Sequence, residues 1–128
     1  MAARVGPRVL DLGLNVLDTE TTHIYVCSAE PTDFANVSVV ALGNKNFGAG
    51  NCFGSPANGS TTDSRKVTSA AVTDGSITAS GTATHWAAVD VTNSRLNATG
   101  PLPASVAVVS GNQFTLGAFD IELPGRTT

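Results

Sequence analysis

The sequence predicts a mostly β protein: a single antiparallel β-sandwich or jelly-roll-like domain, residues 1–128, with a short N-terminal helix. Three observations support this. From residue 65 onward, apolar and β-branched segments recur about every ten residues, separated by Gly-, Asn- and Asp-containing turns. Helical spacing is confined to residues 8–20, so no βαβ unit is expected. A chain of 128 residues fits one core.

The elements follow in order. Pro7 suits a first helical turn, and Leu10, Leu14 and Leu17 share one helical face with Val9 and Val16 beside it. Leu10, Leu12, Leu14 and Val16 also alternate as a strand would; length and Pro7 favour the helix. HIYVCSAEP (23–31) predicts a strand stopped by Pro31, and VSVVAL (37–42) a second. A glycine-rich loop spans 43–64. The strands RKVTSAAVT, GSITASGTA, THWAAVDVT, RLNATGPL, SVAVVS and QFTLGAFDIEL then alternate with turns at Asp74-Gly75, Asn93-Ser94, Gly100-Pro101 and Gly111-Asn112. No helix is expected after residue 20. Ile77, Ala79, Gly81 and Ala83 share a face that Trp86, Ala88 and Asp90 take over after a phase shift. Phe114, Leu116 and Ala118 share one face and Phe119, Ile121 and Leu123 another, which predicts a bulge at Gly117-Ala118.

Composition narrows the function classes. Charged residues make up 13% of the chain, about half the usual share, and Ser, Thr, Asn and Gly replace them. Net charge is −3 and the seven basic residues are scattered, which argues against nucleic-acid binding. No apolar run approaches the roughly 18 residues needed to cross a bilayer. Asp11, Gly13 and Asn15 break the N-terminal apolar stretch, so no signal peptide is expected and synthesis is placed in the cytoplasm. Cys27 and Cys52 could pair, but without a secretory signal free thiols are favoured.

The chemical motifs fail one by one. Gly48, Gly50 and Gly54 give G-x-G-x-x-x-G, one residue longer than the dinucleotide fingerprint and with no helix behind it. GSPAN (54–58) lacks the spacing of a nucleophile elbow. His23 and Cys27 lie four apart on a strand, which separates them by roughly 13 Å, too far to share a metal. Asp120 and Glu122 project to one face, as on a solvated strand. No catalytic residue, metal or cofactor is therefore expected. The 43–64 loop carries Phe47 and Phe53. Either it presses them on a neighbouring protein, or both rings fold back onto this domain's small-residue core. Their burial within one chain decides between the two.

The order LDLGLNVLDTETTHIYVCSAEPTDFA, ALGNKNFG, SRKVTSAAVTDGSITASGTATHWAAVD, NSRLNATGPL and SGNQFTLGAFDIELP resembles a family of small virion structural proteins of tailed bacteriophages and prophages. The resemblance covers nearly the whole chain. It implies a protein without enzymatic activity, made in the host bacterial cytoplasm and located on the outer surface of the capsid. The role that fits best is a capsid cement (decoration) protein. Its partners would be the major capsid protein and further copies of itself, as a dimer or trimer, with no nucleic acid or membrane. An N-terminal arm (1–8), the 43–64 loop and a C-terminal tail (124–128) would reach to neighbours. That makes Arg4, Arg8, Asn46, Phe47, Phe53, Pro124 and Arg126 the candidate contact residues. Two rivals remain. A tail or receptor-binding module would show exposed aromatics over a sugar-binding face, and a small enzyme would show a cleft holding both histidines and a serine.

Overall fold

The computed structural model describes residues 6–61 and 63–124. Its elements run α1 (Pro7–Glu20), β1 (His23–Cys27), α2 (Phe34–Val40), β2 (Ala41–Asn46), β3 (Ala57–Asn58), β4 (Arg65–Thr68), β5 (Val72–Ile77), β6 (Gly81–Asp90), β7 (Arg95–Val108), β8 (Gln113–Leu116) and β9 (Asp120–Leu123). The fold is mostly β, as expected, and the strand pairings are antiparallel. One six-stranded sheet has the order β7-β6-β1-β2-β5-β8, and a three-stranded sheet has the order β3-β4-β9.

Strand alternation sorts the core into two clusters. From β1, Ile24 and Val26 join the main cluster with Leu42, Val72, Ile77, Trp86, Ala88 and Phe114. This face meets Val67 of the small sheet, Leu14 and Leu17 of α1, and Cys52 and Phe53 of the glycine loop. The opposite face of the large sheet carries Cys27, Ala87 and Val89, covered by Val37 of α2. Ala87 and Ala88 thus belong to different layers, and β6 is buried on both sides. Ala83 and Trp86 reach the same cluster although an odd step separates them, because the β6–β7 register shifts between Ala83 and His85. That is the phase shift expected from the sequence.

Several expectations need correction. The strand expected at 23–31 ends at Cys27, RKVTSAAVT splits into β4 and β5, GSITASGTA is broken at 78–80 between β5 and β6, RLNATGPL and SVAVVS run together as β7, and the loop expected at 43–64 includes the end of β2 and all of β3. Residues 34–40 are helical, so the strand expected at 37–42 begins only at Ala41, and a helix does follow residue 20. Asp33 caps α2: its Oδ1 accepts the Asn36 backbone N–H at 2.8 Å. Asp74-Gly75 lies within β5 and Gly100-Pro101 within β7, so neither is a turn. Both glycines are places of close approach. A Cβ on Gly75 would stand 2.6 Å from Phe114 Cδ1, and one on Gly100 2.6 Å from Trp86 Cζ2. The QFTLGAFDIEL segment leaves the large sheet after Leu116 and enters the small sheet at Asp120. The change of face foreseen at Gly117-Ala118 is therefore a switch between sheets. The turns at Asn93-Ser94 and Gly111-Asn112 are present, with Ser94 at φ 57° and Gly111 at φ 93°. At the first of them, Asp90 accepts from the Asn93 side chain (2.8 Å) and backbone N–H (3.1 Å). The Asn93 side chain is the main reason the Asp90 carboxyl sits below its ordinary range.

Cys27 and Cys52 are free and fully buried, in different clusters. Burial pushes their thiols up to about 11 and about 12, from 9.0. A raised thiol contributes stability that is complete below the unfolded value and is lost as pH rises above it, because only the unfolded chain then releases the proton. Each thiol is expected to cost about 1 kcal/mol by pH 10. Urea unfolding at pH 8 and pH 10 measures the loss, and Cys27→Ala/Cys52→Ala should lose less. The native thiols should also resist a disulfide reagent until the chain unfolds.

Candidate contact surfaces

The glycine loop is fastened to the domain. Gly48 (φ 82°) and Gly50 (φ 86°) form a tight turn closed by Asn51 N–H on Gly48 O, a conformation that favours glycine. Gly54 N–H bonds to Thr68 O, and Ala70 N–H to Cys52 O. This places Phe53 at 3% exposure, edge-on to Phe119 with ring centroids 6.1 Å apart. Phe53 is a core residue, which corrects its assignment as a contact. Phe47 is half-buried against the same cluster. Asn46 is exposed and spends its Oδ1 on Gly48 N–H. Arg8 and Pro124 are exposed. Arg4, Arg126 and most of the expected arm and tail lie outside the described residues.

Arg65 connects the two ends of the described chain. Its Nε donates to Asp11 Oδ1 at 2.6 Å, which fixes α1 across β4, and its backbone pairs with Leu123 just before Pro124. Arg8, one turn before Asp11, and Pro124 therefore depart from the same end of β4. The loop between β3 and β4 is anchored there too: the Ser60 backbone N–H and hydroxyl donate to Glu122 and hold its carboxyl below the usual range.

Two apolar surfaces remain without an intrachain partner among the described residues. The first is the outer face of α1. Leu10, Leu14 and Leu17 point inward, while Val9 (57% exposed), Leu12 (55%) and Val16 (37%) form a second stripe, at i, i+3 and i+7. Gly13 lies within that stripe, and a Cβ there would meet nothing within 4 Å. A mid-helix glycine costs about 1 kcal/mol against alanine, and no packing among the described residues offsets it.

The second is the seam between the edges of the large sheet. β7 and β8 are its outer strands, yet both leave the Gly111 turn, which Gly111 N–H and Asn112 O fasten to Ile77. The sheet curls so that the two edges flank a groove of about 500 Å³. Val26, Ile77 and Ala83 floor it, Leu102, Val106 and Val108 wall one side, and Phe114 and Leu116 the other. Residues 103–107 are exposed on both faces of the strand, including Val106 at 52%. From Leu96 to Phe119 the chain has no Asp, Glu, Lys, Arg or His, the longest such run in the sequence.

The histidines do not meet. His23 pairs with Val89 and His85 with Cys27, at opposite ends of β1. His23 is shifted down by burial and its Nδ1 lies 2.7 Å from Thr22 Oγ1; His85 Nε2 is 3.8 Å from Glu30. Among the described residues no group of three metal-ligating side chains forms, and no helix is long and apolar enough to cross a membrane. No protein-family model, curated protein or solved structure matches the chain.

Proposed function

We propose that this protein is a structural component of a tailed-phage virion, a cement protein that binds the major capsid protein on the outside of the head and stabilises the shell. The observation that carries the reading is the pair of apolar surfaces without an intrachain partner among the described residues, one on the outer face of α1 and one at the β7–β8 seam. A cement protein touches more than one neighbour at once, and two surfaces on one small domain suit that task. Low charge and abundant Ser, Thr and Asn suit extended contacts, and many weak contacts on a symmetric shell add up. Binding to the assembled shell alone stabilises it by mass action.

The α1 stripe is assigned to the capsid protein. Gly13 leaves a notch between Leu12 and Val16 that lets a partner's backbone approach closely, and this accounts for a glycine that destabilises the isolated helix. Gly13→Ala is expected to stabilise the free domain by about 1 kcal/mol and to weaken its attachment to heads. Leu12→Lys should reduce attachment at least tenfold without unfolding the domain. Co-sedimentation with assembled heads of the encoding phage measures both. A chain that stays in the supernatant, or that sediments with tails instead of heads, rejects the cement reading. Undiminished binding of both variants removes α1 from it.

A further inference from the structure

We infer that the free edge of β7, between Ala104 and Val108, pairs antiparallel with the same strand of a second copy across a two-fold axis, covering the mouth of the β7–β8 groove. The inference deepens the cement reading by naming the surface for self-association, and it rests on that reading only for its biological setting.

The edge needs a cover. β7 is an outermost strand, and among the described residues no strand pairs with its far side. Its inner side pairs with β6 at Gly81, Thr82 and Ala83; Ala83 is buried, while the β7 residues of this end of the hairpin, 103–107, are exposed on both faces. An exposed apolar edge is a template for another strand. Between Ala104 and Val108 the strand itself carries no lysine or other charge to guard it. Pro101 and Pro103 lack N–H groups and stop pairing on one side, and the Gly111 turn stops it on the other. The open stretch is therefore short and bounded.

Charge matching selects the occupant. The groove has no charged lining residue, so a charged strand entering it would be desolvated without a counter-ion. The chain's own charge-free segment, 96–119, is the matching surface. Pairing centred on Val106 sets Ala104 of one copy opposite Val108 of the other and uses the same residues twice, the mark of a closed two-fold contact. Pairing of β7 with β8 of another copy would leave edges open and propagate into filaments. Five paired residues are a small interface, so the dimer is expected to form at high micromolar concentration and to be reinforced on a shell.

Sedimentation velocity of the full chain without heads, from micromolar to near-millimolar concentration, tests the pairing alone and is independent of capsid binding. The wild-type mass should rise from 13.0 kDa to twice that value. Val106→Lys should stay monomeric throughout with an unchanged melting temperature, since half of that side chain already faces solvent, while Val106→Thr should dimerise. Leu12→Lys should not change the wild-type behaviour. If Val106→Lys unfolds, amide exchange of wild type decides: protection at 104–108 should grow with concentration. A wild-type chain that stays at 13.0 kDa, species larger than a dimer, loss of dimer in Leu12→Lys alone, or concentration-independent exchange at 104–108 would each overturn the inference.

Discussion

Trp86→Ala is expected to cost about 4 kcal/mol, within the range for removing a buried tryptophan or phenylalanine. Trp86 is 8% exposed, and its ring centroid lies 4.3 Å from that of Phe119, which in turn meets Phe53 edge-on. The indole also lies on Gly100 of the neighbouring strand. These three rings join β6, the entry to β9 and the glycine loop. The core elsewhere is built mainly from Val, Ile, Leu and Ala, so little nearby can collapse into the space. At about 4 °C per kcal/mol for a domain of this size, the melting temperature should fall by roughly 15 °C. Calorimetry or urea unfolding measures this. In amide exchange, residues 52–54 and β9 should lose protection before β1 and β6 do. A loss below about 1 kcal/mol would mean that the two sheets are held together by contacts other than this aromatic cluster.

What could be read in advance follows from range in sequence. The two-residue alternation of Trp86 and Ala88 is local, and so is the inward face of α1 at Leu10, Leu14 and Leu17. Both were legible, including the phase shift before Trp86. Val37, Val39 and Val40 are strand formers by type, which hides α2 in the sequence. The Asp33 cap three residues before Asn36 was the available signal, and a helix with only one fully buried residue carries almost no periodicity. Gly75 and Gly100 looked like turn residues because the rings that need their missing side chains come from Phe114 and Trp86, partners visible only once the register is known. Loop length points Phe53 outward, whereas its bridge to Ser69 draws it inward.

The contact surfaces were half legible. The uncharged run from Leu96 to Phe119 can be counted on the sequence, but that it forms both edges of a curled sheet depends on topology. Val9 and Val16 read as flanking the inward face of α1, and Leu12 only as part of the rival strand alternation, yet all three are exposed. Only the packing of α1 on β4, fixed by Asp11 and Arg65, turns them outward.

Gly43→Ala should be the most damaging single-methyl change among the described glycines. Gly43 lies in β2 between two paired strands, opposite Val26 on one side and Ile77 on the other. An added Cβ would overlap the Ser76 backbone carbonyl and stand 2.9 Å from Ile77 Cδ1 and 3.0 Å from Ile77 Cα. Backbone on a central strand cannot step aside as a side chain can. Relief would require moving β5 away from β2, and with it the hydrogen bonds that Thr78 and Ala79 make to Leu42 O. Overpacking of this kind typically costs 1–3 kcal/mol and more where nothing flexible absorbs it, so a loss of about 3 kcal/mol or greater is expected. Gly81→Ala is the matched comparison. The three atoms nearest its Cβ would be Leu42 side-chain carbons, the closest at 3.1 Å, and a rotation of that leucine relieves the contact. Chemical unfolding of the two variants side by side should separate them by at least about 2 kcal/mol. Equal stabilities would show that β2 and β5 are not packed at the separation their register implies.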